Sequence, residues 1–193
     1  KNDLQTPYFI KEIHDWQIIP SPNLSQLTII TEDGTTYIFA EQGKTTMEEA
    51  EGTINHDFVT SWYLTEIISP TVDEKIVFTY YTEGLWAPRV KNNRLALNEG
   101  LRVAESYPEG NLVLDFTTKR ISTITLYIDN VATHKVTFEK ESTPRDDAPQ
   151  SYALDKIKIY QHASDPTPMK YFDLETGSEI GERLYLHSIL EFS

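Results

Sequence analysis

Tyr63-Leu64-Thr65-Glu66-Ile67-Ile68 runs through Ser69-Pro70-Thr71-Val72-Asp73-Glu74 into Lys75-Ile76-Val77-Phe78-Thr79-Tyr80. Apolar and β-branched residues flank a short polar stretch, which is the pattern of a strand, a turn and a second strand. The same grammar returns at 121–138 and 152–172, and begins again at 185–193. A unit of roughly 20 to 30 residues that recurs in this way marks an array whose members cover their apolar faces by leaning on their neighbours. The pattern predicts an all-β fold in one domain over 1–193: a curved antiparallel sheet of consecutive hairpins, a meander or open half-barrel with little helix. Tyr63, Leu64, Ile67, Ile76, Phe78 and their counterparts are expected to bury one continuous face.

Upstream, Asp33-Gly34 lies between Leu27-Thr28-Ile29-Ile30 and Tyr37-Ile38-Phe39, a strong hairpin signal. Pro20-Ser21-Pro22-Asn23 interrupts an earlier pair of strands, because proline cannot donate to a ladder. The polar stretch from Glu41 to Asp57 reads as a loop, or as a helical turn at Met47-Glu48-Glu49-Ala50-Glu51 capped by Thr45 or Thr46. Downstream, 84–110 is an insert opened by Gly84 and Pro88, expected to be a strand or irregular loop. Three strands follow from Leu112, Ile121 and His134, with turns expected at Thr117-Thr118-Lys119 and Asp129-Asn130. Ser142 to Ser151 reads as a solvated loop, and Pro166-Thr167-Pro168 as the turn of the 152–172 repeat.

The 193 residues carry 30 acidic and 17 basic side chains, a formal net charge of -13. Such a charge repels nucleic-acid phosphates and anionic headgroups, so a nucleic-acid partner is not expected. With no cysteine there is neither a disulfide nor a thiolate metal site. No apolar run approaches the ~20 residues of a membrane helix. Lys1-Asn2-Asp3 is not a signal-peptide start. The expectation is an excised piece of a longer exported product, periplasmic or at the cell surface, with its export signal, and any lipid anchor there, already removed.

Asp33-Gly34-Thr35-Thr36-Tyr37-Ile38-Phe39, Ser61-Trp62-Tyr63-Leu64 and Ile76-Val77-Phe78-Thr79-Tyr80 together resemble the opening section of bacterial RHS/YD-repeat proteins. Lys156-Ile157-Lys158-Ile159-Tyr160 and Arg183-Leu184-Tyr185-Leu186-His187-Ser188-Ile189 continue that style. Two departures mark the chain as divergent. Val72-Asp73-Glu74 stands where the family usually has a turn glycine, and the Tyr-Asp dipeptide that names the repeat is absent. The resemblance implies a spiralling antiparallel sheet that forms a shell around cargo. It implies no catalytic residue here.

The residues themselves offer no catalytic set, metal site or cofactor motif. The histidines at 14, 56, 134, 162 and 187 lack metal-ligand spacing, and Gly177-Ser178-Glu179-Ile180-Gly181 misplaces its serine for a nucleophile elbow. Trp86, with Tyr80, Tyr81 and Glu83, is the candidate ligand-binding group, because aromatic rings beside an acceptor hold sugars by stacking and hydrogen bonding. Trp16 and Trp62 are expected in the core. The leading functional expectation is a non-enzymatic scaffold module whose partner is the rest of its parent chain or an enclosed cargo. The alternatives are a cell-surface glycan-binding module and, third, a hydrolase built on dispersed carboxylates. An edge-mediated dimer is a further expectation, since open sheet edges invite pairing.

Overall fold

The computed structural model describes residues 8–9, 15–48, 55–86, 90–91, 111–145, 150–177 and 184–193. They form an all-β protein whose strands join in one twelve-stranded sheet. In chain order the strands are β1 (Tyr8–Phe9), β2 (Gln17–Pro20), β3 (Leu27–Ile30), β4 (Thr36–Glu48), β5 (Asn55–Ile68), β6 (Glu74–Trp86), β7 (Val90–Lys91), β8 (Asn111–Ile128), β9 (Val131–Pro144), β10 (Tyr152–Tyr160), β11 (Lys170–Gly177) and β12 (Tyr185–Phe192). Every pairing is antiparallel, and sheet order follows chain order except that β7 sits beside β8 off the main path. Among the described residues there is no helix, so none is long and apolar enough to cross a membrane.

The predicted hairpins at 63–80, 121–138 and 152–172 are the antiparallel pairs β5–β6, β8–β9 and β10–β11. Two turn expectations change. Thr117-Thr118-Lys119 is not a turn but the middle of β8, opposite Gly84, Glu83 and Thr82 of β6. Threonine favours the extended chain, and the run lacks the Gly, Pro or Asn that would bend it. Likewise Glu41 to Glu48 is neither loop nor helical turn. It continues β4, because β5 on one side and β8 on the other supply ladder partners that outweigh the helix propensity of Met47 and Glu48. Glu49 to Gly52 and most of the 87–110 stretch lie outside the described residues.

Register shows the sheet to be strongly two-faced. One row runs Ile18, Ile29, Tyr37, Ile67, Ile76, Leu126, His134 across seven strands. A second runs Phe78, Ile124, Val136, Ile159, Lys170, and a third Phe138, Ile157, Phe172, Glu191, on the same face. The other face carries rows such as Thr79, Thr123, Thr137, Lys158, Tyr171, Phe192 and Glu139, Lys156, Asp173, Leu190. Cross-strand ion pairs tie that polar face together, Lys158 to Glu139 at 2.6 Å and Lys156 to Asp173 at 3.6 Å. The apolar face is continuous, as the pattern predicts, but it is not buried. Apart from Pro20, the only fully buried apolar side chain among the described residues is Ala153, 2% exposed. Trp16 and Trp62 are half-buried rather than core residues, and the Trp62 indole donates to the Leu24 carbonyl at 2.8 Å.

The strands β4 and β5 pair along their whole length as one ribbon, and β6 and β8 as another. The two ribbons meet twice. At one end β5 joins β6 through Glu66, Ile67 and Ile68. At the other, β4 joins β8 through Lys44 to Glu48. The four strands therefore close a ring, opened toward β3 and β9 at one end and between β5 and β6 at the other. Gly43 sits at the crossing, one residue before β4 reaches β8. A Cβ there would lie 2.3 Å from Ser61 Oγ, 3.1 Å from the Thr117 carbonyl oxygen and 3.3 Å from Tyr63 Cε2.

Turn chemistry follows the residues. Asp33 accepts bonds from the Thr31 hydroxyl and from the N–H and hydroxyl of Thr35. The Thr31 hydroxyl foremost, then Thr35, hold its carboxyl below the usual carboxylate range. Gly34 closes that turn at φ 85°. Asp129 (φ 50°) and Asn130 (φ 64°) form the two-residue turn between β8 and β9, both left-handed as such a hairpin requires. Val72 takes the left-handed role in the β5–β6 turn at φ 66°.

Two substitutions check these constraints in urea unfolding. Val72 is 71% exposed, so Val72→Gly loses little burial and relieves a left-handed β-branched residue. A gain of about 0.5–1 kcal/mol is expected after glycine's extra unfolded-state entropy. Gly43→Ala is expected to cost about 1–3 kcal/mol, because the Ser61 hydroxyl must turn away and the Thr117 carbonyl must shift slightly at the crossing.

Candidate functional site

The four candidate residues on β6 do not converge. Tyr81 and Glu83 stand opposite Arg120 and Thr118 of β8, while Tyr80 stands opposite Ile121 on the other face. Trp86 ends β6 opposite Asp115, and its side chain lies outside the described set.

Tyr80 belongs to the space where the ribbons cross. Its ring lies 5.6 Å from that of Tyr63, and its hydroxyl donates to the Leu64 carbonyl across the gap where β5 and β6 part. Lys119 spans the same region, paired with Glu41 at 2.9 Å and donating to the Thr82 hydroxyl at 2.9 Å. Burial, followed by the charge of Glu41, pushes the Tyr80 hydroxyl above the usual phenol range. Tyr80 is thus a neutral donor bridging two strands.

Glu83 forms a different centre on the opposite side of β6. Its carboxylate is wholly buried and accepts from Arg120 Nε at 2.9 Å, from the Ser151 hydroxyl at 2.9 Å and from the Tyr152 N–H at 3.2 Å. Arg120 also reaches Ser151 Oγ at 3.4 Å. Ser151 is fully buried, and Lys140 lies over the rings of Tyr152 at 3.7 Å and Tyr81 at 5.0 Å. Burial first, then Glu83, raises the Tyr81 hydroxyl, with Arg120 opposing. Both carboxylate oxygens are engaged inside the protein, so the arrangement joins β6, β8 and β10 and leaves Glu83 no oxygen directed at solvent. Arg120 and Ser151 escape sequence reasoning because they lie 37 and 68 residues from Glu83, and Ser151 closes a segment that reads as solvated loop.

A shallow trough of about 590 Å³ lies near the β11–β12 edge, lined by Glu141, Asp155, Asp173, Glu175, Tyr185 and His187 among others. Its carboxylates have internal partners: Glu141 accepts from Thr176 at 2.8 Å, Glu175 from Ser188 at 2.6 Å, and Asp155 and Asp173 pair with Lys156. Among the described residues no group of three His, Cys, Asp or Glu is placed to hold a metal ion.

The fold is similar to that of the N-terminal domain of the effector protein SpvB from Salmonella typhimurium strain LT2. The TM-score is 0.55 at 11% sequence identity, covering 97% of this chain and 68% of that one. At this identity the likeness is one of fold, and fold alone does not carry function. No protein-family model and no curated protein matches the chain.

The Glu83 centre makes an asymmetric prediction for thermal or urea unfolding. Arg120→Ala strands a buried carboxylate and is expected to cost about 3 kcal/mol, the low end for a broken buried pair because Arg120 is 47% exposed. Glu83→Ala frees the guanidinium to turn to solvent, leaving the Ser151 hydroxyl and the Tyr152 N–H unpaired, for about 1–3 kcal/mol. Equal losses would mean that the pair acts as an ordinary surface ion pair.

Proposed function

We propose that this chain is a non-enzymatic structural module of a larger exported bacterial protein, a divergent relative of the shell-forming RHS/YD repeats that encloses or presents another part of its parent. The observation that carries this reading is the unbroken antiparallel path from β1 to β12, in which each strand is covered chiefly by its neighbours. Side chains of the polar face spend their charges on one another, and the candidate carboxylate Glu83 is consumed in holding β6, β8 and β10 together. The description of the structural neighbour as an N-terminal domain of an effector protein fits a module carried within a longer product.

Limited proteolysis at the Pro166-Thr167-Pro168 turn tests the idea. Cleavage there is expected to loosen β9 to β12 together, read as a joint loss of amide protection, because each of these strands is held by its ladder neighbours. A nicked β10–β11 turn with unchanged protection in its neighbours would refute the stacked array. Tryptophan emission is expected to stay constant across a panel of polysaccharides. A saturable change abolished by Tyr81→Ala would transfer the function to glycan binding.

A further inference from the structure

Among the described residues β12 ends the sheet path and pairs only with β11. In an antiparallel ladder an edge strand turns alternate N–H and C=O groups away from its neighbour, which makes it a template for one more strand. Its side chains are open as well: Tyr185 is 50% exposed, Leu186 51%, Ile189 57%, Leu190 44% and Phe192 40%. They occupy both faces, Ile189 beside Leu174 on one and Leu190 beside Asp173 on the other. Sheet edges are commonly blunted by lysine or proline, yet 185–192 contains no lysine, arginine or proline. Its one carboxylate, Glu191, is already held by Lys170 at 2.6 Å. The register slips only at His187, so Ser188 to Phe192 run in unbroken pairing with β11.

Charge selects the partner. At the Tyr185 end of the strand the trough sets Glu141, Asp155, Asp173 and Glu175 beside His187. Lys156 is the one cation paired with these four among the described residues, through Asp155 and Asp173. Thr176 and Ser188 meet Glu141 and Glu175 with hydroxyls, which leave the negative charge uncompensated. The Tyr185 ring lies against Gly177, where an added Cβ would meet it at 2.8 Å, and gives the same trough an apolar wall. Carboxylates beside an aromatic ring suit the charged head and the apolar stem of a lysine or arginine.

We infer that β12 is a docking edge for an extended segment of another protein. The segment adds a strand to the sheet by backbone pairing, lays apolar side chains along Leu186, Ile189, Leu190 and Phe192, and places a lysine or arginine in the trough. A second copy of this chain is a poorer occupant. Its own β12 offers no lysine or arginine, and its Glu191 adds a carboxylate to an edge that is already acidic.

The probe is a fluorescent peptide matched to the eight residues of β12, alternating valine and threonine with a lysine at each end, titrated with the 193-residue chain. Saturable binding is expected, weakening as salt rises, together with a gain of amide protection in β12 and none in β2. Exchanging the two lysines for glutamates is expected to weaken binding roughly tenfold. N-methylating two adjacent amides, which spoils both edges of the peptide, is expected to abolish it. Glu141→Gln with Glu175→Gln keeps an acceptor for Thr176 and Ser188, so the fold is retained, and is expected to weaken the lysine peptide while leaving the glutamate peptide no weaker. No saturable binding at millimolar peptide would overturn the proposal, as would binding that is indifferent to N-methylation or that leaves β12 unprotected. A mass of twice 22.2 kDa in light scattering, lost in Ile189→Lys, would give the edge to a second copy and overturn it as well.

Discussion

Everything else in this fold depends on the crossing of two long ribbons. β4 with β5 and β6 with β8 are each paired end to end, yet they share one edge at the turn end and the opposite edge at the other. A flat sheet cannot do this. The strands must shift register, which they do by bulges at Ile38, Phe39 and Gly43 in β4 and beside Thr79 in β6. A Cβ at Gly43 would run into the Ser61 hydroxyl, with the Thr117 carbonyl oxygen and the Tyr63 ring close behind it, so only glycine fits there without displacing a neighbour. Where the ladder between β5 and β6 gives out, the Tyr80 hydroxyl and the Lys119–Glu41 pair replace its backbone bonds with side-chain ones.

Around this ring the described strands form one sheet. A two-layer domain derives most of its stability from sealed apolar side chains. Here the corresponding residues are shielded by lateral neighbours in their rows. Stability therefore rests on many partly covered contacts, on ladder bonds, and on a small number of buried polar junctions such as Glu83 with Arg120 and Ser151. Such junctions act where the layer folds back on itself: Glu83 reaches from β6 to the start of β10, two strands beyond its ladder partner β8.

The fold class and hairpin positions were legible because alternation with period two is a local property, and because Asp33-Gly34 and Asp129-Asn130 carry turn geometry in their own chemistry. The continuous apolar face was legible for the same reason. What misled was polarity without turn-formers: Thr117-Thr118-Lys119 and the Glu41–Glu48 stretch read as loops, but strands flanked on both sides take polar residues readily when the ladder is supplied. The candidate site was legible only in part. Tyr80 on one face of β6, and Tyr81 with Glu83 on the other, make structural connections whose partners Leu64, Lys140, Arg120 and Ser151 are brought to them by topology.

Because β1 and β12 occupy opposite edges of the sheet, tension drawn between them acts across the strands. Ladder bonds loaded in that direction open one after another, so the sheet would unzip strand by strand at low force. From the β12 side the peel meets a single ladder at each of β11, β10 and β9. At β8 it meets two, since that strand is held by β6 and β4 together. The ring is thus a mechanical stop: a sheet compliant at its margins and resistant at its centre can give way under tension without losing its organising middle.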